Sequence, residues 1–261
     1  MLALAIILGL IANYLTGLLL RLFLIQHGTR ISSKAACQLQ LVAQIGKYVP
    51  GKIWSAVLQA QLIGRTPIVR LFLAGIDSTL MSTMLLSGLG LAFVAAVWSP
   101  TTGVLVAVLS TFVATRIAAS ALLARLSGML ARLKTKTQDS APVAPTHNPS
   151  AYKFLLAAIA FSIPATLGYV TLLVATTDLR GAELSLATAS VLLSWVLGAL
   201  AIVVPGGFGV REVAFVMISK FMGLDLPLGV LASLAIFIRA TLIIQDFLTA
   251  LLTIPVFFRK K

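Results

Sequence analysis

Long apolar stretches separated by short polar connections make up most of this chain. Four stretches, residues 1–20, 78–115, 154–177 and 184–210, contain no Asp, Glu, Lys or Arg. A membrane-spanning helix needs about 20 predominantly apolar residues, so these stretches alone supply several spans. The pattern predicts long helices over residues 1–25, 67–98, 103–123, 152–177, 184–204 and 227–258, with a short helix over 211–221.

Composition supports the membrane class, because 59% of the 261 residues are hydrophobic and only 10% are charged. A soluble domain carries about 25% charged residues. We therefore predict one all-α polytopic membrane domain with about six transmembrane helices. It has a first half over residues 1–124, a basic loop over 125–151 and a second half over 152–258. Cys37 is the lone cysteine, and His27 and His147 fall in polar connections, so we expect no metal and no cofactor.

The chain has a formal net charge of +13, and its basic residues cluster in the connections between the apolar stretches. Cytoplasmic loops of membrane proteins are enriched in Lys and Arg, whereas nucleic-acid binding would need a soluble domain that this chain does not offer. We therefore expect a multi-pass protein of the cell membrane. Its basic connections and C-terminus would be cytoplasmic, and residues 99–103 and 178–183 would lie outside.

Two Pro-Gly breaks interrupt the apolar pattern, and charged residues flank both. The first runs from Gly46 to Trp54 and reads GKYVPGKIW, and the second runs from Val203 to Glu212 and reads VVPGGFGVRE. In lipid, open backbone is tolerated only where protein covers it or a wet cavity reaches it. Two broken segments in different halves of a membrane protein indicate a transport site.

The positive-inside pattern predicts that both broken segments are re-entrant hairpins. Residues 35–63 begin and end at basic connections, and each arm has about a dozen residues, which is short for a span. The second hairpin would enter from the opposite face, as in an inverted repeat. The alternative is that residues 184–204 span the membrane alone, because that stretch is long enough.

The two motifs resemble those of the transmembrane region of the lysylphosphatidylglycerol synthetase family, also described as flippase-like. The family elements GKYxPGKxW and PGGxGxRE match Gly46 to Trp54 and Pro205 to Glu212. Arg239 and Asp246 resemble a later arginine and acidic residue. Asp77 stands where many members have Glu. The resemblance covers residues 35–253 and implies a lipid-translocating membrane protein, with no particular lipid.

The chain differs from the family pattern in two places. Members often begin with one more span, so we expect a short form or a late start codon here. We also expect no soluble aminoacyl-transfer domain after Lys261, so the resemblance implies the translocating half alone.

The first break offers cations and aromatic rings for a lipid headgroup. Lys47 and Lys52 flank Pro50 and Gly51, and both ammonium groups would bind a phosphate at the tip of a hairpin. The alternative is that both lysines extend to the cytoplasmic headgroups. The rings of Tyr48 and Trp54 line the cavity in one interpretation and anchor the membrane interface in the other.

The second break and the last helix hold the remaining candidates. Gly206, Gly207 and Gly209 after Pro205 permit positive φ and an anion-binding nest, with a tight packing turn as the alternative. Glu212 would fix the orientation of Arg211. Seven residues separate Arg239 from Asp246, which places both on one helix face, where they pair with Glu212 and Arg211 or with Asp77. Asp77 is an isolated carboxylate and a candidate proton-coupling site, or part of a structural charge pair.

These features favour a lipid translocase that is not an enzyme. A phosphate-bearing or anionic lipid would enter between the hairpins, and Lys47, Lys52 and Arg211 would bind its phosphate. The alternative is a lipid-binding accessory protein that assists a phospholipid synthase or glycosyltransferase. The chain shows no nucleophile–histidine pair or metal-ligand cluster that would favour catalysis on a headgroup.

Overall fold

The computed structural model describes residues 1–48, 53–63, 67–119, 149–201 and 204–258. Within these residues the regular structure is entirely helical. The helices are α1 Leu2–Gln26, α2 Ser33–Gly46, α3 Ile53–Ile63, α4 Ile68–Trp98, α5 Pro100–Ala119, α6 Ala151–Thr176, α7 Gly181–Leu200, α8 Val210–Phe221 and α9 Leu228–Phe258, with a 3₁₀ turn at Pro205–Gly207.

Six of these helices, α1, α4, α5, α6, α7 and α9, are long and apolar enough to cross a membrane. The prediction of an all-α protein with about six transmembrane helices is therefore confirmed. One boundary differs, because the connection between α4 and α5 is Ser99 alone. Pro100 begins α5, where its missing N–H costs nothing. The basic loop at 125–148, with the flexible stretch expected there, lies outside the described residues.

The first broken segment forms two short helices, α2 with 14 residues and α3 with 11. At 1.5 Å per residue they measure about 21 and 17 Å, shorter than the hydrocarbon thickness. The arms pack on each other, and α2 also contacts α1 and α9. Neighbouring helices therefore pack against the arm before the break.

The second broken segment has unequal arms. Its first arm, α7, has 20 residues and is long enough to span, whereas α8 has 12. The α7 helix packs along α4, and α8 packs between α7 and α9. Because α7 has the length of a span, the oppositely oriented second hairpin and the inverted repeat stay predictions.

Two clusters of buried apolar side chains hold the helices together. The larger joins α1, α4 and α6, with Phe23 and Phe154 packed at 5.1 Å between ring centroids. The smaller joins α6, α7, α8 and α9 around Leu173 and Leu231. The ends of α2 and α8 at the breaks lie against α9, so this last helix lines both broken segments.

Candidate functional site

The two breaks meet in the structure, although about 150 residues separate them in the sequence. The backbone N–H of Gly206 donates a hydrogen bond to the carbonyl oxygen of Lys47, with 3.0 Å between the heavy atoms. The rings of Tyr48 and Phe208 lie beside this bond, with centroids 6.2 Å apart. The two breaks are therefore in direct contact, whereas a cavity lined by both of them stays a prediction.

Lys47 and Tyr48 both bind the carboxylate of Asp246 on α9. The Lys47 ammonium lies 2.8 Å from Asp246 Oδ1 and also donates to Gln44 Oε1 at 2.8 Å. The Tyr48 hydroxyl donates to the other carboxylate oxygen. The Asp246 side chain is only 7% exposed and that of Lys47 is 29% exposed, so the carboxylate is shielded more completely than the ammonium. Lys47 therefore points into the bundle, which is contrary to the alternative that it extends to the headgroups.

The glycines of the second break adopt the predicted left-handed conformation. Gly206, Gly207 and Gly209 have φ of +59°, +69° and +77°. A Cβ on Gly207 would lie 2.8 Å from the carbonyl oxygen of Gly198, so the break also approaches α7 closely. However, the N–H of Gly206 donates to Lys47 and that of Gly207 to Val204. Protein carbonyls accept from both groups, so the N–H groups of Gly206 and Gly207 are engaged within the protein, and the anion nest stays a prediction.

Arg211 at the start of α8 lies over the ring of Trp195, with its guanidinium carbon 5.3 Å from the ring centroid. Its aliphatic stem passes over Gly198, where a Cβ would overlap the stem. The expectation that Glu212 orients Arg211 is wrong, because Glu212 pairs with Arg239 instead. The residues that contact Arg211 are Trp195 and Gly198 of α7. Arg211 Nε is buried and has no hydrogen-bond partner among the described residues.

Arg239 on α9 forms an ion pair with Glu212, at 3.5 Å from Nε to Oε1. This confirms one of the predicted pairings, whereas Asp246 pairs with Lys47 and not with Arg211. The Arg239 guanidinium also lies 4.2 Å from the Phe208 ring centroid, within cation–π range. Arg239 Nε and Nη2 and both carboxylate oxygens of Glu212 lack hydrogen bonds within the described part of the chain.

A small cavity of about 20 Å³ lies beside Arg211, Glu212 and Arg239. Its walls come from four helices and include Tyr169, Ser194, Trp195, Arg211, Glu212 and Arg239. This volume is enough for about one water molecule. Buried polar atoms normally find a partner in protein or ordered water, so the arginine cavity, as we call it, is suited to a small polar group.

The charges at the junction favour an anion. Lys47, Arg211 and Arg239 carry three positive charges, and Glu212 and Asp246 carry two negative charges. One net positive charge remains in a setting where charge is poorly screened. Arg211 and Arg239 line the same cavity, and each has at least one N–H group without a hydrogen-bond partner among the described residues. Planar guanidinium groups of this kind match the geometry of phosphate oxygens.

Asp77 lies in a different environment from the one predicted. It is fully buried on α4, and its Oδ2 lies 2.8 Å from Nε2 of His27, which is also buried. The expectation of an isolated carboxylate is therefore wrong. His27 directly follows the C-terminus of α1, so the pair links α1 to α4. A histidine in a short polar connection gave no sign of this burial.

The remaining candidates fall in three different settings. Trp54 on α3 is 46% exposed, which favours an interfacial anchor over a cavity wall. Pro205 contributes its backbone to the 3₁₀ turn. Pro50, Gly51 and Lys52 lie outside the described residues.

Sequence reasoning missed the residues that support the charged groups: Gln44, Tyr169, Trp195, Gly198 and Phe208. Phe208 lies inside the second motif, so its position was a usable signal. Trp195 and Gly198 occur within an apolar helix, where such residues normally serve packing.

Among the described residues, no three His, Cys, Asp or Glu side chains cluster in a way that would hold a metal ion. The chain matches no protein-family model, no curated protein sequence and no solved structure.

Proposed function

We propose that this chain moves a phosphate-bearing or anionic lipid between the leaflets of the cell membrane. The observation that carries the proposal is a pair of arginines beside the second break, one buried and one partly buried. Arg211 and Arg239 line one cavity, and each has N–H groups without a hydrogen-bond partner among the described residues. Buried cations in a membrane protein are costly and usually mark a substrate path.

The network of ion pairs suggests how a headgroup acts on the protein. A phosphate competes with Asp246 for Lys47 and with Glu212 for Arg239. Both pairs join the α9 helix to a broken segment. Asp246 of α9 pairs with Lys47 at the first break, and Arg239 of α9 pairs with Glu212 at the second. When the phosphate replaces these carboxylates as the partner of Lys47 and Arg239, the contacts that hold the breaks to α9 become weaker. A ligand shifts a conformational equilibrium only through such differential interactions.

The size of the cavity indicates that its walls must move apart before a headgroup binds, and a headgroup that also reaches Lys47 requires the two breaks to separate. About 20 Å³ admits one water molecule and excludes a lipid phosphate. In this proposal the structure is a closed form, and opening at either face gives alternating access. The resemblance of the two motifs to flippase-like proteins agrees with this proposal.

Lipid exchange in reconstituted vesicles tests the proposal. Purified protein is placed in liposomes with fluorescent phosphatidylglycerol, and the outer-leaflet label is quenched over time. We expect the wild type to accelerate exchange and Arg211→Ala to lose most of the acceleration. Lys153→Ala, which removes an exposed cation at the start of α6, serves as the control.

Two results would count against translocation. One is an equal rate for wild type, Arg211→Ala and empty vesicles with every anionic lipid tried. The other is retention of bound lipid by folded protein without any exchange, which would favour the accessory protein that assists a lipid-synthesising enzyme.

A further inference from the structure

A second and much larger cavity lies away from the charged junction, between α4, α5 and α6. It has a volume of about 520 Å³ and is open along one side. Its lining is almost entirely apolar and includes Leu89, Phe93, Val104, Ala107, Ile163 and Leu167. The α4 and α6 helices make few contacts with each other here, whereas α4 packs closely on α5. We call this opening the α4–α6 groove.

The surroundings of the groove indicate what fills it. Val104 and Ile163 on its rim are 62% and 55% exposed, and both belong to helices long enough to span a membrane. The groove therefore faces hydrocarbon. An apolar cavity of this kind stays free of water, so acyl chains of the bilayer are the available occupants.

A second copy of the chain fits the groove less well than an acyl chain. Helix association in membranes favours small residues at the interface, because they allow close approach of the backbones. The exposed face of α5 beside the groove instead carries large side chains, including Val104, Leu105, Val108 and Leu109.

One face of α6 connects the groove with the arginine cavity. Ser162 and Thr166 line the groove, and Tyr169 lines the arginine cavity. Their spacing of i, i+4 and i+7 places the three hydroxyl-bearing residues along one stripe. Thr166 and Ser162 lie about 4.5 and 10.5 Å along the helix axis from Tyr169.

The two groove hydroxyls differ from other hydroxyls in the bundle. Thr176, Thr188 and Ser190 donate to the carbonyl four residues earlier in their helices. The hydroxyls of Ser162 and Thr166 are buried and have no hydrogen-bond partner among the described residues. In lipid such groups favour a polar ligand. The ester oxygens of a phospholipid, which lie between its phosphate and its acyl chains, are acceptors of this kind.

We propose that the α4–α6 groove binds an acyl chain of the lipid whose phosphate binds at the arginine cavity. The identity of that headgroup rests on the proposed function. Occupation of the groove does not, and it is measurable without transport. The stripe on α6 then aligns the lipid along the helix, with its headgroup toward Tyr169 and its chain in the groove between α4 and α6.

Photo-cross-linking tests the groove. The protein is reconstituted in phosphatidylcholine vesicles that contain phosphatidylglycerol with a diazirine on one acyl chain, and adducts are located by mass spectrometry. We expect adducts to concentrate on groove residues of α4, α5 and α6. Ala107→Phe, which fills the groove, should reduce these adducts about tenfold. Leu109→Phe places the same ring on the outer face of α5 and should leave them unchanged.

Several results would overturn the proposal. Adducts spread evenly over the exposed face of α5 would indicate ordinary solvation by lipid. Covalent dimers joined through the groove would indicate a second copy of the chain. Groove adducts that survive Ala107→Phe as well as Leu109→Phe would exclude a defined binding position, and the wild-type adduct map remains decisive if Ala107→Phe does not fold.

The cross-linking experiment and the lipid-exchange experiment can fail independently. If the wild type shows groove adducts but no lipid exchange, the translocase proposal fails and the acyl-chain site stands. If exchange is fast and depends on Arg211 but groove adducts are absent, the acyl-chain site fails alone.

Discussion

At the scale of single residues, the position of Arg211 depends on two apolar-helix residues that carry no charge. Trp195 supports the guanidinium through a cation–π contact, and Gly198 leaves space for the aliphatic stem. Contacts of this kind are worth about 0.5–2 kcal/mol, depending on how far the cation is desolvated. The arginine is therefore held against α7 by Trp195 and Gly198.

Replacement of Gly198 tests this support. We expect Gly198→Ala to displace Arg211 and to lower the free energy of unfolding by about 1–3 kcal/mol, because overpacked sites cost this much. The fluorescence of Trp195 should change at the same time. Gly229→Ala is the matched control, because a Cβ on Gly229 meets no atom within 4 Å. Equal stability and equal fluorescence in both variants would contradict the proposed support.

At the scale of elements, the second break is specified by backbone geometry as well as by charge. Gly207 has φ of +69° and lies against the Gly198 carbonyl, so it combines a left-handed conformation with a close approach. Together with the hydrogen bond from Gly206 to Lys47, these contacts fix the second break against both α7 and the first break. Gly206 and Gly207 therefore serve the packing of the second break against α7 and the first break.

A comparison of two glycines separates the cost of the left-handed conformation from the cost of the close approach. Gly223 has φ of +78° but no atom near its Cβ position, whereas Gly207 has a backbone carbonyl there. We expect Gly223→Ala to lower the free energy of unfolding by about 1–2 kcal/mol, the cost of a left-handed side chain. Gly207→Ala should cost about 1–3 kcal/mol more because of the overlap. If denaturant titrations gave the same loss of unfolding free energy for Gly207→Ala and Gly223→Ala, the close approach at Gly207 would not contribute to stability.

The elements themselves were largely predictable from the sequence, and their partners were not. Uninterrupted apolar runs gave the long helices, and Pro and Gly among charges marked both breaks. The spacing of Arg239 and Asp246 correctly placed them on one face of α9. Which charges they meet depends on the rotation of α9 against each break, so Asp246 pairs with Lys47 in the first break. The burial of His27 against Asp77 depends in the same way on how α1 packs on α4.

At the scale of the whole molecule, the positions of the basic residues and the six long helices predict an orientation in the membrane. If residues around 153 are cytoplasmic and residues around 178 are outside, α6 crosses the bilayer once. The junction of the two breaks then lies within the bundle, and α9 contacts both halves.

Cysteine labelling tests this orientation. In a Cys37→Ala background, we introduce Lys153→Cys or Asp178→Cys, both at exposed positions. A membrane-impermeant maleimide should label position 178 in intact cells and position 153 only after permeabilisation, as the positive-inside rule requires. The reverse pattern would place the basic connections outside and contradict the expected topology.

Reversible cross-linking of the two breaks tests the central claim most directly. With Cys37→Ala, Tyr48→Cys and Phe208→Cys introduce thiols where two rings are 6.2 Å apart, and a short thiol-specific linker joins them. Lipid exchange in vesicles is compared before linking, after linking and after reduction, with each single-cysteine variant as a control. We predict that linking stops exchange and that reduction restores it, because the breaks must separate to admit a headgroup. Exchange that continues at the unlinked rate with the breaks joined would contradict the account.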